Sequence, residues 1–177
     1  MSRLIRLLEA LSEQIGRGVA WLTVLMTLLV FVVVALRYGL DISNAALQES
    51  ITYLHALVFM LGMAYTLRHD EHVRVDILYR ARSPRGKAWT DLLGALLLLL
   101  PFSATLFWLC LDYVLSSWRI LEGSRDTGGL PFLYLLKSLL LVMPALLALQ
   151  GLTQALRAVL ILRGEALPPV DSLRTEV

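Results

Sequence analysis

Apolar residues run in long blocks along this chain. Four windows contain no Asp, Glu, Lys or Arg: Gly18–Leu36, Ser50–Leu67, Leu92–Leu111 and Ser138–Leu156. Each is about 18–20 residues long, enough at a helical rise of ~1.5 Å per residue to cross a hydrocarbon core of ~30 Å. The pattern predicts an all-α membrane protein with four transmembrane helices, at about 18–38, 48–68, 89–117 and 132–160 of an 18–160 membrane domain. The segment before the first span, SRLIRLLEALSEQIGR, places Leu4, Leu7, Leu8, Leu11 and Ile15 at helical spacing, with Arg3, Arg6, Glu13 and Arg17 largely elsewhere on the wheel. It predicts an interfacial amphipathic helix over 1–17 that is retained rather than cleaved. Residues 161–177 form a polar, proline-containing tail on the cytoplasmic side.

Short connections make sequential spans antiparallel and predict a compact four-helix bundle. The first hairpin, RYGLDISNAALQE, offers turn and N-cap chemistry from Asp41 to Asn44. The second, RILEGSRDTGGLP, carries Gly128 and Gly129, with Pro131 expected in the first turn of the last helix. Ser83 and Pro84 form an N-cap and first-turn pair for the third helix. Pro101 and Pro144 fall inside spans, where they predict kinks.

Charge sets the orientation. Arg3, Arg6, Arg17, Arg68, Arg74, Arg80, Arg82, Arg85, Lys87, Arg157, Arg163 and Arg174 fall on one side, and Arg37, Arg119, Arg125 and Lys137 on the other. An excess of twelve over four places both termini and the 69–87 loop in the cytoplasm. Over the whole chain of 177 residues the net charge is only +2, and charged residues make up 17%, below the roughly one quarter of a soluble domain. Neither value suggests a nucleic-acid partner. The single Cys110 excludes an internal disulfide.

The interior of the spans is nearly bare of ionisable groups, although transport or catalysis within a membrane normally leaves some at mid-depth. Asp112 and Lys137 stand near the outer ends of the third and fourth spans and are expected to pair, and Arg37 and Glu49 flank the other outer hairpin in the same way. All three histidines, His55, His69 and His72, belong to the second span or its exit, so two helices of this chain cannot share a haem. The His69–His72 run lacks a second ligand-bearing segment at metal-site spacing. No phosphate loop, nucleophile elbow or zinc-protease motif occurs. No catalytic residue, metal or cofactor is expected.

One polar stretch stands out, HDEHVRVDILYR from His69 to Arg80. It follows a span beginning QESITYLHALVFMLGMAYTLR, with Arg37-Tyr38 closing the first span, Glu49 opening the second, Gly62 midway and Arg68 at its end. With EGS and GGLPFLYLLKSLLLVMPALLALQGL in the second half, the chain over about 30–157 resembles the DctQ-type small membrane subunit of TRAP transporters. Leu47 and Ser50 depart from that pattern, since many members carry Trp and an acidic residue there.

The resemblance implies a bacterial inner-membrane, multi-pass, non-catalytic subunit of a tripartite, sodium-coupled importer of organic acids. It implies a stable complex with a large membrane subunit, which holds the substrate and sodium sites, and transient delivery of substrate by a periplasmic binding protein. Membrane lipids are the remaining partner. Arg37, Glu49, Arg68, His72, Arg74 and Asp76 are the expected assembly residues. The last three are expected to lock the cytoplasmic end of the second span to the third helix or to the large subunit. Two alternatives remain open at this point: a stand-alone membrane redox or metal-binding protein using His55, His69 and His72, and a homo-oligomeric channel.

Overall fold

The structure, a computed structural model, describes residues 2–69, 79 and 81–164. Four long helices account for nearly all of them. Helix α1 runs Ser2–Gly39, α2 Ala45–Arg68, α3 Pro84–Arg119 and α4 Leu133–Arg163, and each is long and apolar enough to cross a membrane. Their ends follow local chemistry. The Asn44 side chain accepts from the Leu47 amide at 3.1 Å and opens α2. The Ser83 hydroxyl accepts from the Gly86 amide at 3.2 Å, with Pro84 behind it in the first turn of α3. Gly164, at a positive φ of 74°, closes α4. Pro131 lies before α4 rather than in its first turn, because the helix begins at Leu133 with Phe132 as its flanking residue.

The two internal prolines behave differently. Pro144 sits within an unbroken α4. Pro101 is preceded by a π-turn at Ala95–Leu99, in which the Leu100 amide donates to the Ala95 carbonyl. A proline cannot donate to the carbonyl four residues back and its ring crowds that carbonyl. A widened turn beside it is one of the adjustments that re-satisfy backbone groups in a membrane helix.

The helices do not close into the compact bundle that short loops suggest. Helix α1 packs along α2, α2 along α4, and α4 along α3; the start of α1 also touches α4, while α3 makes its packing contacts with α4. The order across the molecule is therefore α1, α2, α4, α3, an open row in which α4 touches every other helix. A third of the apolar window of α4 is buried, against 6% for α1 and for α2 and 11% for α3. Leu139, Met143, Leu147, Gln150, Gly151, Ala155 and Ala158 form its buried face.

The N-terminal segment 1–17 is not a separate element, since Ser2–Gly39 is one uninterrupted helix. At ~1.5 Å per residue a helix of this length reaches ~57 Å, well beyond a ~30 Å hydrocarbon core, so α1 projects past the membrane at the end that carries both chain termini. The buried face of the segment is also not its leucine stripe. Ile5, Glu9, Gly16 and Val19 are buried and Ser12 half-buried, at alternating spacings of four and three, whereas Leu7 and Leu11 are exposed. The inward positions mix apolar, small and polar residues, while Leu7 and Leu11 face outward.

Gly16 lets α1 and α2 approach. A Cβ at that position would stand 2.0 Å from Cδ2 of Tyr65 and 2.5 Å from Cγ, near the root of the ring. Gly16→Leu is expected to lower the thermal stability of the detergent-purified protein by the roughly 1–3 kcal/mol typical of overpacking. Gly18→Leu, which meets nothing within 4 Å, should leave it unchanged. Equal melting temperatures for the two variants would contradict this packing.

Candidate functional site

Polar side chains gather at the two rims of the row, not in its middle. At the rim nearer the termini, Arg68 ends α2 with its side chain only 5% exposed. Its guanidinium donates to Glu13 Oε2 at 2.8 Å and to the Glu9 backbone carbonyl at 2.7 Å. Glu9 is buried, and its Oε1 lies 3.0 Å from Arg157 Nε on α4. The N–H does not point along that contact, so the pair is held by charge rather than by a directed hydrogen bond. The His69 ring lies tilted against Tyr65, centroids 4.2 Å apart, bonds the Tyr65 carbonyl through Nδ1 at 3.0 Å, and leaves Nε2 3.6 Å from Glu13. Ser12 donates to Gln150 at 3.4 Å. Two carboxylates one helical turn apart on α1 thus reach α2 and α4 together.

At the opposite, hairpin rim, Glu49 near the start of α2 clamps the α3–α4 loop. It accepts from the Ser124 hydroxyl and from the Leu130 amide, the latter at 2.6 Å. Gly129 permits this approach, because a Cβ there would lie 2.5 Å from Ser124 Oγ and 2.6 Å from Glu49 Oε1. The loop is pinned again by Glu122, which pairs with Lys137 on α4. Lys137 Nζ also lies 4.1 Å above the Tyr113 ring. The Lys137 hydrogen bond holds the Glu122 carboxyl below its ordinary value of 4.5. Its stabilising contribution is therefore complete above that value and is lost as pH falls through the depressed one. Trp118 closes the corner, donating to the Ser138 hydroxyl at 2.8 Å and meeting Tyr134 edge-on at 4.8 Å.

Several expected residues sit in these clamps and others do not. Arg68 and Glu49 are central to them. Lys137 pairs with Glu122 rather than Asp112: the chain turns back at Leu121, which has a positive φ of 46°, and brings the loop carboxylate over α4, while Asp112 faces outward and is exposed. Arg37 is exposed on α1 and does not meet Glu49, whose oxygens are taken by the loop. His55 is exposed and stacked on Phe59 at 6.4 Å. It lies fourteen residues from His69 on one helix, about 21 Å along the axis, so the two cannot share a ligand. His72, Arg74 and Asp76 lie outside the described residues. Among the described residues no three His, Cys, Asp or Glu side chains gather as a metal site. Glu122 and Ser124 stand in the EGS run that carries part of the resemblance, though the sequence does not give their partners, and Glu9, Glu13 and Arg157 do not stand out. The signal for Glu9 and Glu13 is their four-residue spacing on a predicted helix.

Among the described residues, the ion pairs of the four apolar helices lie at the two rims. A family profile decides the chain's class: Tripartite ATP-independent periplasmic transporters, DctQ component, matches residues 26–160. The chain belongs to the DctQ family. No curated protein and no solved structure matches it. The matched segment of this DctQ chain takes in Glu49, Arg68, Glu122, Lys137 and Arg157, but begins after Glu9 and Glu13. The basic halves of the clamp around Arg68 and Arg157 thus lie within the family segment, and their acidic partners lie in the N-terminal part of α1.

Removing one member of a buried ion pair typically costs about 3–5 kcal/mol. Arg68→Glu and Glu13→Arg are each expected to destabilise the purified DctQ chain on that scale, and the double swap should recover part of the loss. Recovery stays incomplete because Glu at position 68 cannot donate to the Glu9 carbonyl. Thermal unfolding in detergent reads the cycle, and additive losses in the double variant would show that the two residues do not interact.

Proposed function

We propose that this DctQ chain is the non-catalytic small membrane subunit of a binding-protein-dependent, sodium-coupled secondary transporter that imports organic acids. It scaffolds the large membrane subunit in a stable complex, while the periplasmic binding protein visits transiently. It sits in the bacterial inner membrane with both termini in the cytoplasm, as the twelve-to-four distribution of Lys and Arg favours. The reading rests on family membership together with one structural observation. The chain spends its described buried charges on holding its own helices together at the rims, and it presents an open row of helices in which α1 and α3 have one long side free.

An open row is a poor vessel for a solute. A transport pathway needs polar groups converging at mid-depth, and the described ion pairs of this chain lie at the rims. A row is, however, a suitable platform, since it offers two broad faces and two free edges to a partner helix. His72, Arg74 and Asp76, which follow Arg68 in the sequence, and the exposed Arg37 are the proposed contacts to the large subunit, while Glu49 and Arg68 serve assembly by holding this chain's own helices in place.

Affinity purification of the tagged chain from its native host in mild detergent tests this directly. A much larger polytopic membrane protein is expected to co-purify in stoichiometric amount, and removal of this chain should abolish uptake of the transported acid. Recovery of the chain alone, or only with further copies of itself, would contradict the proposal.

A further inference from the structure

Charge is unevenly shared along the rim that carries both chain termini. Toward α1 and α2, Arg68 and Arg157 are answered within the chain by Glu13 and Glu9. Where Pro84–Gly94 of α3 packs on α4, the balance is different. The start of α3 and the final turn of α4 bring Arg82, Arg85, Lys87 and Arg163 to this corner against one carboxylate, Asp91. Asp91 already accepts a hydrogen bond from the Tyr79 hydroxyl at 2.8 Å. Arg82 donates to the Thr90 hydroxyl, and Lys87 Nζ stands 5.4 Å from the centre of the Tyr79 ring. Arg85 and Arg163 are exposed and form no ion pair with any described residue.

An excess of basic residues on one rim is what the orientation of a membrane protein requires, but that requirement does not explain what stands next to them. Trp89 lies one helical turn beyond Arg85, on the same face of α3, and is 54% exposed. Leu93, one turn further, is 48% exposed and lies inside the charge-free window Leu92–Leu111. A free guanidinium, an indole and a leucine thus follow one another from the helix end into the span. That order repeats the layers of a lipid leaflet: the phosphates, the boundary where tryptophan settles, and the acyl chains. The surplus of cations is complementary to a negatively charged headgroup, and basic pockets between membrane helices take such headgroups. The apolar stripe below gives a soluble anion nothing to contact.

We propose that the α3–α4 corner of this rim holds an anionic phospholipid, with its phosphate on Arg85, further positive charge from Lys87 and Arg163, and an acyl chain along Trp89 and Leu93. The site does not depend on which compartment the rim faces, nor on the transported solute. It assigns the outer edge of α3 to lipid and leaves the broad faces of the row to a protein partner.

Quenching of tryptophan fluorescence by brominated lipids tests the site. The full chain, with any membrane protein that accompanies it through purification, is placed in phosphatidylcholine vesicles. These contain equal small fractions of either brominated phosphatidylglycerol or brominated phosphatidylcholine. The difference between the wild type and Trp89→Phe isolates the quenching of Trp89. It is expected to be about fivefold more effective with the anionic lipid, the preference that one basic residue supplies near charged headgroups. The Arg85→Gln/Lys87→Gln double variant should bring the two lipids to parity, while Arg85→Lys, which keeps the charge, and Arg17→Gln, on the far edge of the row, should retain the preference. Parity in the wild type would overturn the site, and so would a preference that survives in the double variant. Trp89 that neither lipid quenches would show that protein covers this edge, which also overturns it. Loss of the preference on adding inorganic phosphate at constant ionic strength would show a site for a soluble anion instead.

Discussion

A guanidinium at the end of a membrane helix can be buried only if something answers its charge, and for Arg68 the answer comes from a different helix. Glu13 and the Glu9 carbonyl meet it from α1, and the Glu9 carboxylate turns the other way to Arg157 on α4. One turn of α1 therefore fixes three helices in register. Burying an ion pair is not a net source of stability by itself, because desolvation offsets much of the attraction. What it supplies is specificity, since any slip of α1 along α2 strands a charge in an apolar surrounding. The matching clamp at the other rim, Glu49 on Ser124 and Leu130, fixes α2 to the α3–α4 loop. With both rims set, the apolar surfaces between them need only fit.

The distribution of side chains follows from the solvent. In water the leucines would define the core. Here the inward positions of α1 are Ile5, Glu9, Ser12, Gly16 and Val19, and those of α4 include Gln150, Gly151, Thr153, Ala155 and Ala158. Leu7, Trp21, Leu28 and Phe31 stand outside. Helix association in lipid draws on close packing and polar contacts, and a row held mainly at its ends can leave most of its apolar surface free for lipid or for a partner. An open arrangement around α4 is then compatible with a stable chain, and with a component of a tripartite transporter.

The legible part of this structure was the part governed by length and local chemistry. Charge-free windows locate the helices, Asn44 and Ser83 cap them as their side chains suggest, and the polar stretches around Arg37, Glu49 and Arg68 point to the family that the profile match shows. Tertiary facts were less visible. Leu7 and Leu11 of the first segment's leucine stripe lie on its outer face, and nothing local distinguishes a helix that lies on the membrane from one that continues into it. Lys137 sits at a depth suited to Asp112, but the left-handed turn at Leu121 delivers Glu122 instead, and that turn is set by the packing of the loop against Glu49 and Tyr134. Pairings of this kind depend on where a loop is carried, which hydropathy does not record. The row arrangement belongs to the same class, because short loops fix which neighbours are antiparallel and leave the closing contact free.

That closing contact can be read with the one native cysteine. Cys110 lies on α3 toward the hairpin rim, and single cysteines placed in turn at Val30, Phe31 and Val34 scan the corresponding stretch of α1. In native membranes treated with a mild oxidant, none of the three should form a disulfide with Cys110, whereas cysteines placed on the facing part of α4, at Leu140 or Leu141, should do so. Ready disulfide formation between α1 and α3 within one chain would show a closed bundle, and with it the open platform would fall.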